Sequence, residues 1–151
     1  MWRSAVILLT GVLLCCAGCV VPPIEEPTVT VSGIGIENVT LRSTDLLLRL
    51  IVDNPNPIGA TLARVSFDIH FLEGGQAVYL AHGEQEDIEI RPAGETSVTV
   101  PVTVDNPPLV RAVLHGLQDG AIILQVNGSA TLDYGIATFD VPFNRTVEVR
   151  P

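Results

Sequence analysis

The sequence predicts an all-β protein, an antiparallel sandwich of seven or eight strands with one short helix. Apolar and polar residues alternate at period two along most of the chain, which is the pattern of half-buried strands. The composition is 47% hydrophobic but only 5% aromatic, and Val, Ile, Leu and Thr are prominent, which favours strands over helices. With 151 residues, the chain has room for one such domain and a short additional segment.

The N-terminal segment has the layout of an export signal. Arg3 supplies a positive charge, residues 5–14 form an apolar run, and Ala17 and Gly18 place small residues before Cys19. This ending resembles a prokaryotic lipobox, in which the cysteine is diacylated and becomes the mature N-terminus. We therefore predict a signal peptide over residues 1–18, lipidation at Cys19, and a proline-containing tether over residues 19–27.

An uncleaved anchor helix is the open alternative, because the stretch 4–21 is nearly long enough to span a bilayer. Both arrangements predict a domain that is anchored to a membrane on the extracytoplasmic face of the cell envelope. The chain has no cysteine after Cys19, so the predicted sandwich at 28–151 must be stable in an oxidising compartment without disulfides.

Six predicted strands precede the helix. The first is interrupted by Gly33 and Gly35, where a bulge or a close backbone approach is expected. Residues 73–76 contain two glycines and give a hairpin signal. Pro101 lacks the N–H that a central strand needs, and it therefore predicts a sheet edge or a bulge. The six ranges are 29–41, 44–52, 62–72, 77–81, 88–90 and 96–104.

One helix and two more strands complete the predicted order. Asn106 is a suitable N-cap before two prolines, and Gly120 ends the helical pattern. The helix has too little positive charge for a membrane-surface element, so we expect its apolar face to pack across an end of the sandwich. The final strands are predicted at 122–132 and 136–149. The apolar helix face consists of Leu109, Val110, Val113, Leu114 and Leu117.

The second strand ends in an Asn-Pro-Asn-Pro motif. Its two prolines prevent the ladder from continuing, and each asparagine is held in extended backbone by the proline that follows it. Asparagine side chains in such positions bond neighbouring backbone groups. We therefore predict a structural turn here, with ligand binding as the alternative. The motif comprises Asp53, Asn54, Pro55, Asn56 and Pro57.

The order of these motifs resembles that of a known family. After the Asn-Pro-Asn motif come an Ile-x-Ile-x-Pro-x-Gly-x-Thr turn at 88–96, a valine-rich strand, the helix, and a Leu-x-Val-x-Gly-x-Ala strand at 124–130. This order resembles the folded late embryogenesis abundant proteins, which carry the water stress and hypersensitive response domain, over residues 29–149. The resemblance implies an immunoglobulin- or fibronectin-III-like sandwich, a link to desiccation and stress tolerance, and no enzymatic activity.

The charge and the remaining polar motifs argue against several functions. A net charge of −9 argues against binding nucleic acid, which needs clustered Lys and Arg. The three histidines lack partners at metal-ligand spacing, no nucleophile elbow surrounds a serine, and the acidic run 84–89 is predicted to be a solvated strand edge. We therefore expect no catalysis, metal or other cofactor. Asn38, Asn127 and Asn144 begin Asn-x-Ser/Thr sequons and are candidate glycosylation sites.

Two function hypotheses follow. The first is a non-catalytic, membrane-tethered envelope protein that acts in desiccation or water-stress tolerance. The second is an envelope binding module that holds a lipid, or an apolar segment of a partner protein, between its sheets or along the edge near Pro101.

Overall fold

A computed structural model describes residues 23–38 and 40–149. The predicted signal peptide and Cys19 lie outside these residues, as do Val39 and the side chains of His115 and Leu117. In the part of the chain that begins at Pro23, no described helix has the length and apolar character needed to cross a bilayer.

In the described residues, seven strands form the two antiparallel sheets of a sandwich and one helix accompanies them, which confirms the predicted fold class. One sheet has the strand order β1-β2-β5 and the other β4-β3-β6-β7. Because β2 pairs with β5 and β3 pairs with β6, the chain crosses between the sheets as in Greek-key, immunoglobulin-like sandwiches. The elements are β1 Thr28–Glu37, β2 Ser43–Asn54, β3 Ala60–Glu73, β4 Gln76–Ile90, β5 Gly94–Asp105, α1 Asn106–Asp119, β6 Ile122–Asp133 and β7 Thr138–Val149.

The predicted alternation accounts for the core between the sheets. Every second residue in the middle of β2, β3 and β5 points inward and is at most 3% exposed, as period-two patterning requires. Burying these branched aliphatic side chains supplies the main driving force for folding. The inward residues are Leu46, Leu48, Leu50 and Val52 on β2, Val65, Phe67, Ile69 and Phe71 on β3, and Val98, Val100, Val102 and Val104 on β5.

Phe67 lies in a slot made by two glycines on the neighbouring strands. Its register partners are Gly83 on β4 and Gly128 on β6. A Cβ atom on Gly83 would come within 2.3 Å of the Phe67 ring, and one on Gly128 would come within 2.5 Å of Phe67 Cβ. Both strands therefore need glycine here because the aromatic ring occupies the space that a side chain would take.

The first and fourth strands differ from their predicted bounds. β1 has the expected bulge, between Val31 and Gly33, but it ends at Glu37, and Leu41 is fully exposed. The predicted extension to residue 41 was wrong because Asn38 has a φ of 44° and turns the chain away from the sheet. The predicted short strands at 77–81 and 88–90 are parts of one continuous β4, which includes the acidic run.

Each edge strand of the two sheets carries a feature that interrupts regular pairing. β1 has its bulge, and β4 has a register shift opposite Ile69/His70 together with a φ of 56° at Asp87. β5 contains Pro101, as predicted for an edge, and β7 contains Pro142. Bulges and prolines at edges disfavour pairing with another chain, so the sandwich is protected against strand addition.

The helix α1 lies across one end of the sandwich, as predicted, and contacts β3, β5 and β6. Its start differs from the prediction, because Asp105 occupies the N-cap position and makes no side-chain cap bond. Asn106 instead accepts a hydrogen bond from Thr44 Oγ1 at 2.9 Å and donates one to the Thr40 carbonyl at 2.7 Å. Gly120 has a φ of 80° and ends the helix as expected.

The packing of α1 corrects the predicted apolar face. Ala112 is 1% exposed and Leu109 packs against the core, whereas Val110, Val113 and Leu114 remain exposed. The helix therefore turns a narrow edge of its apolar surface toward the strands and leaves the wider part in solvent. The small side chain of Ala112, which the pattern of large apolar residues did not single out, allows this close approach.

Candidate functional site

The Asn-Pro-Asn-Pro motif forms the centre of a buried polar network at the end of the sandwich opposite α1. Asn54 is the last residue of β2 and pairs with Gly94. Asn54 and Asn56 are 0% and 3% exposed, while Asp53, Pro55 and Pro57 are exposed. The inward alternation of β2 thus continues through the motif, with the two amides where apolar side chains would otherwise lie.

The side chain of Asn54 joins three turns. Its Nδ2 donates to the carbonyls of Ile58 and Arg91, both at 2.9 Å. Its Oδ1 accepts from the backbone N–H of Asn56 at 3.0 Å and from the hydroxyl of Tyr134 at 2.8 Å. Since buried backbone carbonyls need partners, Asn54 satisfies groups that the prolines and the strand ends leave without a ladder.

The side chain of Asn56 holds the tether against the domain. Its Nδ2 donates to the Glu25 carbonyl, and its Oδ1 accepts from the Glu25 N–H, both at 2.8 Å. The amide therefore pairs with Glu25 as a peptide group of a neighbouring strand would. The backbone carbonyl of Asn56 also accepts from Ala93 N–H at 2.7 Å, which fixes the β4–β5 turn to the same point. We call this end of the sandwich, where residues 23–27 reach Asn54 and Asn56, the tether end.

Tyr134, which the sequence reasoning missed, completes the network. It follows β6 directly and is 8% exposed. Its ring packs edge-on against Phe139, and its hydroxyl also lies 3.3 Å from Asn56 Nδ2. Burial raises the pKa of Tyr134 above its ordinary value of 10.0, although the hydrogen bond from Asn56 lowers it. In a chain with few aromatic residues, a tyrosine directly after a strand was the sequence feature that could have identified it.

The side-chain amides of Asn54 and Asn56 are paired within the protein. Both donor positions of Asn54 Nδ2 are used, and both side-chain oxygens accept hydrogen bonds from within the protein. Amides that are fully paired with backbone groups fix local structure. This geometry favours the predicted structural turn over the ligand-binding alternative, and substitution of the two asparagines tests it.

An apolar groove lies beside the network. It has a volume of about 320 Å³ and lies between the tether and the turns after β2 and β6. Ile58 and Ile136 are 42% and 71% exposed at its margin. The predicted start of the last strand at residue 136 was too early, because Gly135 has a φ of 78° and keeps Ile136 in a turn. The apolar residues that line the groove are Pro23, Ile24, Pro55, Pro57, Ile58 and Ile136.

The three predicted glycosylation sites lie in different surroundings. Asn38 is exposed in the turn after β1. Asn127 is half-buried in the central strand β6, and it faces Asn144 of β7, whose side chain donates a hydrogen bond to it. The structure therefore brings two of the sequons together on the outer sheet face, where Asn144 is exposed like Asn38 and Asn127 is half-buried.

The histidines do not form a metal site in the described residues, where no group of three His, Cys, Asp or Glu side chains has suitable geometry. His82 lies within β4, and its Nδ1 is 2.8 Å from Asp68 Oδ1. His70 lies on the outer face of β3 and packs edge-on against Tyr79. The contact with Asp68 places His82 in the polar outer surface, whereas His70 Nδ1 is buried and has no hydrogen-bond partner among the described residues.

Comparisons with known proteins agree with this architecture. The chain is 35% identical over 147 residues to an uncharacterized protein of Methanocaldococcus jannaschii, covering 95% of this chain and 81% of that protein. A solution structure from Arabidopsis thaliana has a TM-score of 0.65 at 18% identity, covering 85% of this chain and 84% of that one. A crystal structure from Archaeoglobus fulgidus has a TM-score of 0.58 at 18% identity, covering 85% and 98%.

The two structures show the shared fold, and a family model defines the relationship. Residues 49–147 match the model described as Late embryogenesis abundant protein. The matched region starts within β2 and ends within β7, and it includes the Asn-Pro-Asn motif, Tyr134 and the two glycines that accommodate Phe67. This chain belongs to the late embryogenesis abundant protein family.

Proposed function

We propose that this protein is a non-catalytic, membrane-tethered component of the cell envelope that acts in desiccation and water-stress tolerance. Membership in the late embryogenesis abundant family supports a stress-related role in broad terms. The observation that carries the proposal is the pair of hydrogen bonds between Asn56 and Glu25. They fix Glu25, which lies in the predicted tether, to the domain, so that an anchor at Cys19 would hold the sandwich close to the membrane surface.

The surface and the core have properties that suit a protein exposed to drying. A net charge of −9 keeps a surface hydrated and resists association. The interrupted edge strands disfavour cross-strand aggregation when molecules become concentrated. The predicted mature domain contains no cysteine, so no disulfide exchange can trap it in a wrong form. These features support reversible survival of the domain through water loss.

The absence of catalysis is supported by the chemistry of the polar residues. The buried asparagines are used in hydrogen bonds within the fold, and His82 is paired with Asp68 on an exposed sheet face. Burial raises the pKa of Tyr134, whose hydroxyl donates a hydrogen bond to Asn54 inside the asparagine network. Titratable groups with shifted pKa values that gather in an accessible cleft are the usual sign of an active site. The Tyr134 hydroxyl is buried in a structural network instead.

The proposal is tested in the native cell. The gene is deleted, and survival through drying and osmotic shock is compared with that of the parent strain. The deletion strain is then complemented with the wild-type gene or with Cys19→Ala. We expect reduced survival after deletion, recovery with the wild type, and loss of both membrane association and recovery with Cys19→Ala.

Separate outcomes would contradict separate parts of the proposal. Normal survival of the deletion strain would overturn the stress function. Full recovery with Cys19→Ala, together with retained membrane association, would show that lipidation is not the anchor. Intact-mass analysis of the membrane-extracted protein then decides between lipid and helix, because an uncleaved helix retains residues 1–18.

The exposed face of α1 favours one second candidate, a binding module for an apolar segment of a partner protein. Val110 and Leu114 are 53% and 55% exposed on adjacent helical turns, and such pairs are typical contact points for an apolar partner. Native mass spectrometry and cross-linking of the wild type are compared with Val110→Ser/Leu114→Ser. Loss of a specific cross-linked protein in the variant supports this candidate, and co-purified lipid supports the lipid-holding form.

A further inference from the structure

The apolar residues at the tether end are exposed at the point where the chain enters the fold. Pro57, Ile58 and Ile136, which we call the apolar rim, lie beside Pro23 and Ile24 at the groove margin. Isolated exposed apolar residues are common on protein surfaces, but a contiguous group beside a chain entry marks a contact surface. The rim is therefore a candidate for a surface that the tether brings into contact with something else.

The length of the preceding chain limits what the rim can reach. Glu25 is fixed to Asn56 by two hydrogen bonds, so the position of the chain is determined from there onward. Residues 20–22 separate Cys19 from Pro23, and the four residue steps from Cys19 to Pro23 span at most about 14 Å when fully extended. An uncleaved helix over the stretch 4–21 would bring the rim closer still. Either anchor keeps the rim near the lipid headgroups, which form a layer about 5–8 Å deep on each side of the hydrocarbon core.

We propose that the apolar rim rests in the headgroup region of the bilayer and fixes the orientation of the sandwich on the membrane. This inference rests on the proposed membrane tether. Thr44, which is bonded to Asn106 of α1, lies ten residues before Asn54 along β2, or about 33 Å at the rise of a strand. In the oriented domain, α1 faces away from the membrane.

The charge beside the rim favours lipid over a second copy of the chain as its occupant. Glu25 and Glu26 are exposed next to the groove. Two copies facing each other through the rim would bring their carboxylates together, which is unfavourable. A zwitterionic lipid surface imposes no such repulsion and offers apolar groups within reach of Ile58 and Ile136.

Tryptophan fluorescence in vesicles tests the orientation. Trp2 is the single tryptophan of the chain, so Ile136→Trp and Leu114→Trp each add one reporter at an exposed apolar position. The full-length protein with its native anchor is reconstituted into phosphatidylcholine vesicles with or without brominated acyl chains, and the wild-type signal is subtracted. We expect bromine to quench more than half of the reporter at 136 and to leave the reporter at 114 unchanged. Adding Ile58→Ser should reduce the quenching at 136.

Flotation of the same samples separates this inference from the proposed tether. If the protein floats with the vesicles and the two reporters are quenched equally, or the one at 114 more strongly, the orientation is wrong while the tether stands. If the protein does not float, the tether fails and the orientation fails with it. Strong quenching at 136 alone, reduced by Ile58→Ser, supports both.

Discussion

Replacing Asn54 by Asp should be far more damaging than its small change in shape suggests. The side-chain Nδ2 donates to the carbonyls of Ile58 and Arg91, each at 2.9 Å. In Asn54→Asp, an acceptor oxygen takes the place of this donor and faces both carbonyls. A buried acceptor left without its partner costs about 2 kcal/mol, so the two carbonyls together give a loss of about 4 kcal/mol at neutral pH.

The pH dependence of the variant provides an internal check. Burial raises the pKa of the introduced carboxyl group above its unfolded value of about 3.9, because the oxygen that replaces Nδ2 faces two carbonyls and no donor. Such a group does not lower the free energy of unfolding below its unfolded-state pKa, where it is protonated in both states. It lowers that free energy progressively as the pH rises through the folded-state pKa. The deficit should therefore shrink near pH 4, where the protonated carboxyl can donate one of the two lost bonds.

Equilibrium urea unfolding, followed by far-ultraviolet circular dichroism, measures the effect. The matched control is Asp53→Asn, the reverse exchange at the exposed neighbouring position, which should change stability by less than about 0.5 kcal/mol. The reasoning is refuted if Asn54→Asp unfolds at the same urea concentration as Asp53→Asn at neutral pH. A deficit that grows on acidification would also contradict the assigned donor role of Asn54.

Three further predictions concern the core, the network and an edge. Gly128→Ala should lower stability by about 3 kcal/mol or more, because its Cβ would collide with Phe67, whereas Gly94→Ala, which meets no atom within 4 Å, should unfold near the wild-type urea midpoint. The wild type should lose stability as pH rises above 10.0, because Tyr134 ionises in the unfolded state before it ionises in the folded state. Tyr134→Phe should remove this component of the pH profile of stability, and a profile that the substitution leaves unchanged would contradict the prediction. Pro101→Val should increase light scattering at high protein concentration, since it restores an N–H on an edge strand, and equal scattering would show that this edge needs no protection.

The strands were predictable because their patterning has one physical cause. Alternation on β2 and β5 reflects burial on one face, and it placed the buried residues between Leu46 and Val52 and between Val98 and Val104 correctly. The bulge near Gly33 and the edge position of Pro101 were also predictable, because each follows from a local backbone property. The continuity of β4 was not predictable, because the polar run within this edge strand has no alternation of apolar and polar residues that would indicate a strand.

The site was less accessible from sequence than the strands. Local rules gave the extended asparagines and their bonding to nearby backbone groups. The bonds to Glu25, Arg91 and Tyr134 connect residues that are 31 to 80 positions apart, and only the folded topology brings them together. The helix face shows the same limit, because helical periodicity identifies apolar positions but does not determine how far the strands allow the helix to rotate toward them.

The two ends of the sandwich bear on the choice between the candidate functions. If the tether end faces the bilayer, the exposed face of α1 stands about 33 Å from it along β2. A lipid held by Val110 and Leu114 would then have to leave the membrane completely, which is costly for an acyl chain in water. A partner protein in the surrounding medium meets that face directly. The orientation measured at residues 114 and 136 therefore also discriminates between the two clients: a distal helix favours an apolar segment of a protein, and a helix found at the bilayer favours lipid.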